Sequence, residues 1–214
     1  MNFDDTIQKK WLIIEQWLVN NANDIFNSLN EPAEEKGIKE ISTLINLKLP
    51  NDFKKLYLVH NGIDDSKMAN LFYGFTFNPI EEIINDINLF STLKNNNDIL
   101  KYTDKGINDT YMFSNNRLPI GSDSSHCYIC LDLNPSNEGT YGQVILLDTE
   151  YNIALLLASS ISELLNIFIN DLKNNKYYLA EDALEDEVEW LQPIDEIDVN
   201  NWWKTSRWSH VKRF

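Results

Sequence analysis

Cys127-Tyr128-Ile129-Cys130 is the run best placed to do chemistry, since two thiols three apart can form a redox pair or half of a zinc site. A redox pair works best at a helix N-terminus, where the dipole lowers a thiol pKa. Here Cys127, Ile129, Leu131 and Leu133 alternate with other residues, which reads as a strand. Positions three apart on a strand face opposite sides. The remaining imidazoles, His60, His126 and His210, are scattered along the chain. Both thiols are therefore expected in the core.

His126 lies beside Ser122, Asp123, Ser124 and Ser125, the residue types of a hydrolytic triad. Groups so close in sequence leave no room for a third side chain to orient the base, and no G-x-S-x-G elbow occurs. Turn and capping roles are expected instead. The carboxylate pairs Glu34-Glu35 and Glu81-Glu82 fall in first turns of expected helices, where the dipole favours negative charge. With seven glycines and neither G-x-G-x-x-G nor G-x-x-x-x-G-K, a phosphate-binding loop is unsupported. Catalytic, cofactor-binding and metal-ligating residues are each expected to be none, and the chain is expected not to be an enzyme.

Charge points to binding. The 214 residues carry 33 acids against 18 Lys and Arg, a formal net charge of −15. Such a surface repels nucleic acid and anionic membrane and complements a basic protein. Nine acids and no Lys or Arg lie between Tyr177 and Trp203, followed by Lys204, Arg207, Lys212 and Arg213. The tail also holds Trp202, Trp203 and Trp208, interleaved with bases as in single-strand nucleic-acid binders. The overall charge favours the other reading, in which the tryptophans dock on the body and the bases pair with nearby acids.

The elements that position these groups can be read from periodicity. At 43% hydrophobic and 12% aromatic residues, the chain can fill a core. Trp11, Ile14, Leu18, Ile25 and Leu29 share one face of a helix expected over 6–29. Glu31-Pro32 opens a second helix with Ile38, Ile41 and Ile45 inward. Leu49-Pro50 starts a short third helix that Asn61-Gly62 stops. A strand is expected over 71–77, then a helix capped by Asn78, with Pro79 in its first turn. Residues 94–116 show no period.

Strands follow at 118–121, 127–133, 143–148 and 152–157, the last two a hairpin about Thr149-Glu150-Tyr151. Ser160-Ile161-Ser162-Glu163 is a capping box for a closing helix with Leu164, Leu165, Phe168 and Leu172 inward. Helices, short strands and a closing helix predict an α+β fold around one antiparallel, or mixed, sheet. The 28 asparagines read as loop filler and helix stops.

Three stretches together resemble the SUKH superfamily, in its Smi/Knr-like branch. They are the Trp11 helix with Leu29-Asn30-Glu31-Pro32, the run from Leu49, Pro50 and Phe53 through Tyr57 to Asn61 and Gly62, and Leu118-Pro119-Ile120-Gly121 with the following strands. The likeness covers roughly residues 8–174. It implies a sheet flanked by helices and a non-enzymatic binding role: immunity proteins that neutralise toxins in bacteria, cell-wall-synthesis regulators in fungi.

The division expected is a Smi/Knr-like domain over 1–176 and an extension over 177–214, to which the resemblance carries nothing. The partner-binding candidates, chosen by charge, are Asp64, Asp65, Asp123, Glu181, Asp182, Glu185, Asp186, Glu187 and Glu189. The leading expectation is a cytoplasmic immunity protein that neutralises a basic, nuclease-like toxin. The alternative is a regulatory or scaffold protein linked to cell-wall synthesis. The acidic N-terminus has no signal-peptide core, and no apolar run approaches the length of a membrane span.

Overall fold

Thr6 caps the first helix by accepting from the amide of Lys9, and α1 runs over Ile7–Asn21. The single helix expected over 6–29 is broken at Ala22, whose extended φ of −154° separates α1 from the short α2, Asn23–Asn27. Asn20 and Asn21 turn their amides back onto the carbonyls of Gln16 and Trp17 at the break. Ile25 nonetheless stays buried with Trp11, Ile14 and Leu18, so the apolar stripe crosses the break.

The next helix, α3, begins at Glu35 and ends at Ile45, later than Pro32 suggested. The preceding strap is held extended, with the Ala33 amide bonded to the Tyr57 carbonyl and Asn30 to that of Gly62. Pro50 precedes α4, Asn51–Tyr57, which buries Phe53, Leu56 and Tyr57. α5 spans Ile80–Leu93. Its cap is supplied by Asn61, whose Oδ1 accepts from the Ile80 amide at 2.9 Å. Asn78, the cap expected from sequence, instead donates to the Pro119 carbonyl and accepts from Thr76 Oγ1.

The structure, a computed structural model, describes residues 6–64, 66–93 and 99–211. Its main sheet has the order β1-β5-β4-β3-β2, built from Tyr102–Thr103, Arg117–Ser122, Cys127–Asp132, Gln143–Asp148 and Ile153–Ala158 as β1 to β5. β1 pairs parallel to β5 and every other pair is antiparallel, so the sheet is mixed and the fold is α+β. α6, Ile161–Lys173, opens on Ser160, whose Oγ accepts from the Glu163 amide, while the Glu163 carboxylate accepts from the Ser159 amide. A second, two-stranded sheet pairs β6, Tyr177–Leu179, with β7, Leu191–Pro193, across the short α7, Glu181–Glu185.

The strand expected over 71–77 is a turn followed by extended chain. Tyr73 and Gly74 take φ of +57° and +82° in a 3-10 turn over Phe72–Gly74. Thr76 and Asn78 then donate to the carbonyls of Ser122 and Ile120, along the free edge of β2.

The sheet has two packed faces, which separate the cysteines. Cys127, Ile129, Leu131, Val144 and Leu146 join the helices in the larger core. Cys130, Ile145, Leu147 and Ala154 meet Leu100, Ile107 and Met112 on the other side. The aperiodic stretch, in its described part from 99, is thus the cover of the second face. Buried Arg117 pins it by donating to the carbonyls of Asn108, Tyr111 and Met112. No helix among the described residues is long and apolar enough to cross a membrane.

Candidate partner-binding surface

The chemically capable groups are absorbed into the fold. Burial pushes the Cys127 and Cys130 thiols far up, and Asp148 beside Cys127 adds to the shift there. A thiol so shifted stays protonated and is a poor nucleophile. Asp123 Oδ1 accepts from the amides of Ser125 and Cys127, both at 2.9 Å, which closes the β2–β3 turn. His126 Nδ1 meets Ser125 Oγ at 3.0 Å, and its Nε2 lies 3.4 Å from Glu150.

Asp123, His126 and Cys127 do bring ligand atoms within 4.8 Å of one another, the one such grouping of three among the described residues. Sequence spacing had left the histidines scattered; Asp123 is what completes the group. Yet the aspartate is committed to the turn and the thiol to the core, so the cluster is accounted for by folding.

The motif residues are structural as well. Gly62 has φ +72°, and a Cβ there would stand 2.5 Å from the Pro79 nitrogen. A Cβ on Gly121 would meet the Thr76 carbonyl oxygen at 2.5 Å. Leu49, Phe53, Tyr57 and Leu118 are fully buried, and Pro50 packs at Gly142. The Pro119 carbonyl receives Asn78.

The extension packs on the body. Trp202 is fully buried and donates from Nε1 to Asp148 Oδ2 at 2.9 Å. Trp208 Nε1 donates to Asp104 Oδ2 at 3.1 Å. Arg207, expected to pair with an acid, donates to the Leu156 carbonyl and stacks over Trp208, and its charge adds a small lowering to the Glu163 carboxyl. Lys212 and Arg213 lie outside the described residues. Asn70, buried, clamps β7 by bonding both the carbonyl and the amide of Leu191, at 2.9 and 2.8 Å.

The acidic candidates divide by position. Glu181, Asp182, Glu185 and Asp186 lie exposed on or just after α7. Leu184 on the same helix is 46% exposed, and α7 buries none of its residues. Glu189 is engaged, accepting from the amides of Asp24 and Ile25 at the start of α2. Asp64 accepts from the amide and hydroxyl of Ser66, which hold its carboxyl below the usual range. Asp65 lies outside the described residues.

Two of the candidates from the tail and one from the body converge on a single region. Glu187 and Glu189 line a hollow of about 340 Å³ with Asp24, Asn27, Ser28 and Val188. Asp64 lines a neighbouring hollow of about 350 Å³ with Ile63, Phe77, Pro79, Glu82 and Trp190. Lys67, Met68 and Ala69 belong to both and form the wall between them. Met68 stands on that wall at 74% exposure. Three carboxylates and Lys67 line the first hollow; the second sets Ile63, Phe77, Pro79 and Trp190 beside two carboxylates, Asp64 and Glu82. Charge counting missed Asp24, Met68 and Trp190. The signal for Met68 was present, an apolar residue inside the polar run around Ser66-Lys67.

Residues 32–167 match the SMI1/KNR4 family (SUKH-1). The chain is similar to the cell wall assembly regulator SMI1 of Saccharomyces cerevisiae, at 20% identity over 80% of this chain and 41% of that protein. It is also similar to the cell wall biosynthesis/cell cycle regulator smi1 of Schizosaccharomyces pombe, at 23% identity over 82% of this chain and 38% of that protein. KNR4/SMI1 homolog 1 of Debaryomyces hansenii matches at 21% identity over 78% of this chain and 51% of its own length. The chain therefore spans about two fifths to one half of these relatives.

Proposed function

The chain belongs to the SMI1/KNR4 family (SUKH-1), and from that premise we propose that it is a non-catalytic, cytoplasmic protein-binding module with a regulatory output connected to the cell wall. The observation that carries this reading is the alignment of about four fifths of the chain with proteins named as cell wall regulators. The disposition of its reactive groups agrees: thiols, histidine and motif residues hold turns and core, which leaves surface association as the means of action. The partner is a protein with a basic contact surface, complementary to a chain of net charge −15.

That same charge favours a second reading, in which the basic partner is a nucleic-acid-degrading toxin and the chain its neutraliser. Two measurements separate the readings. Deletion of the gene should sensitise cells to a cell-wall-perturbing compound, with rescue by the intact gene. Capture with tagged protein from its native cytosol should recover an endogenous partner at low salt and less of it at high salt. Normal wall tolerance together with a stoichiometric toxin domain on the bait would replace regulation by immunity. Turnover of any small ligand would overturn the non-catalytic reading.

A further inference from the structure

We propose that the two hollows flanking Met68 form one composite docking site for an extended segment of a partner protein, taking a Lys or Arg in the first and a bulky apolar side chain in the second. The inference rests on the protein-binding reading above and deepens it.

Charge and wall chemistry assign the occupants. Asp24, Glu187 and Glu189 surround the first hollow, and among the residues lining either hollow Lys67 alone is basic. Glu189 is spent on the α2 amides, whereas Asp24 and Glu187 are exposed. Two exposed carboxylates beside a concavity match a guanidinium or ammonium group. The second hollow presents Pro79, half-buried Trp190 and exposed Met68 above the buried Ile63 and Phe77, an apolar surface that can anchor an aliphatic or aromatic residue, beside the carboxylates of Asp64 and Glu82.

Because the hollows share the Lys67–Ala69 wall, the two occupants must be near neighbours on one chain. Met68, unbranched and exposed between them, can lie along the segment that links the two side chains. Volumes of about 340 and 350 Å³ leave ample room for one long side chain in each hollow.

Recognition would then draw in part on segments outside the family-matched residues 32–167. Asp24, Asn27 and Ser28 precede them, and Glu187 to Trp190 follow. The extension reaches this position because Asn70 fixes Leu191 and Glu189 caps α2. The shared scaffold supplies the wall and the floor of the second hollow, and the flanking segments supply the carboxylates of the first hollow and the tryptophan.

The test uses the full chain, isotope-labelled, and pools of acetylated peptides. In the first pool a Lys or Arg stands two to four residues from a Phe, Leu or Met in a Gly-Ser background. One control pool carries Glu for the cation and another Ser for the apolar residue. The first pool should shift amide resonances of residues 24–28, 66–69 and 187–190 saturably. Each control should bind at least about fivefold more weakly, as loss of one exposed charge or anchor contact of about 1 kcal/mol implies.

Glu187→Lys and Met68→Glu should each weaken the first pool similarly while keeping the wild-type unfolding midpoint. Shifts scattered over other surfaces, no saturable shift, or equal binding of the Glu pool would overturn the proposal. So would a dimer in sedimentation that Met68→Glu dissolves, since the occupant would then be a second copy. In cytosol capture, a partner retained by both variants refutes this face and leaves protein binding intact. A bait without partner and a deletion without wall phenotype refute the parent reading instead.

Discussion

Gly62 shows how much a single position can carry. Its φ of +72° lies in the left-handed region, and a Cβ would meet the Pro79 nitrogen, the Phe77 oxygen and the Asn78 carbonyl carbon, all within 2.7 Å. These are backbone atoms, so no side chain can swing aside. Gly62→Ala should cost at least about 2 kcal/mol, combining the left-handed penalty with a forced backbone shift. A urea midpoint within experimental error of wild type would show that the loop relaxes freely. Asp86 gives a pH-dependent counterpart. Burial, and then the neighbouring Glu82, push its carboxyl up to about 6. The folded state therefore binds a proton more tightly than the unfolded chain, and folding stability falls as pH rises from about 4 to 6. Asp86→Asn should match wild type below that window, exceed it above pH 6, and flatten the slope between. Unfolding midpoints taken across pH would reveal the difference; parallel curves for the two proteins would exclude it.

Among elements, the extension is held by hydrogen bonds that its sequence conceals. Its acids and bases suggest ion pairing, whereas the contacts seen at its tryptophans run from indole N–H groups to body carboxylates: Trp202 to Asp148 and Trp208 to Asp104. Asp148 is fully buried and also caps the turn amides of Glu150 and Tyr151. Trp202→Phe keeps most of the apolar packing and removes the donor, leaving a buried carboxylate oxygen short of a partner. A loss of about 1–3 kcal/mol is expected; a change under about 0.5 kcal/mol would mean that packing alone holds the segment. The same contrast explains what could be read from the chain. α5 and α6 follow from their local apolar periods, and α6 also from its own Ser160 cap, while β3 to β5 follow as short apolar runs that the fold buries on both faces. The Asn70 clamp on Leu191 and the Asn61 cap on Ile80 join residues far apart in sequence, and no local pattern encodes them. The hollows beside Met68 are hidden for the same reason: Asp24, Lys67 and Glu187 meet only after folding.

For the whole molecule, the main sheet has two edges and both are closed by irregular chain. On β2, the extended residues 75–78 supply the bonds of a neighbouring strand. On β5 the covering strand β1 is two residues long, and beyond it side chains take over. Asp104 accepts the Leu156 amide at 2.8 Å, and Arg207 donates to the Leu156 carbonyl. Asp104 and Arg207 are in turn bound or stacked by Trp208, so the extension locks the covering groups in place. An uncovered strand edge offers a template to other chains, and short or covered edges suppress that pairing. Ending the chain after Asp198 would strip Trp202, Arg207 and Trp208 together, baring both apolar surface and the Leu156 carbonyl. Such a chain should melt earlier and sediment as larger species than the full chain at equal concentration. Arg207→Ala probes the edge more narrowly, because it frees the carbonyl and uncovers one face of Trp208 while leaving both tryptophans in the chain. If the truncated chain self-associates but Arg207→Ala does not, the driving force is exposed apolar area; if both do, the unpaired edge of β5 is sufficient.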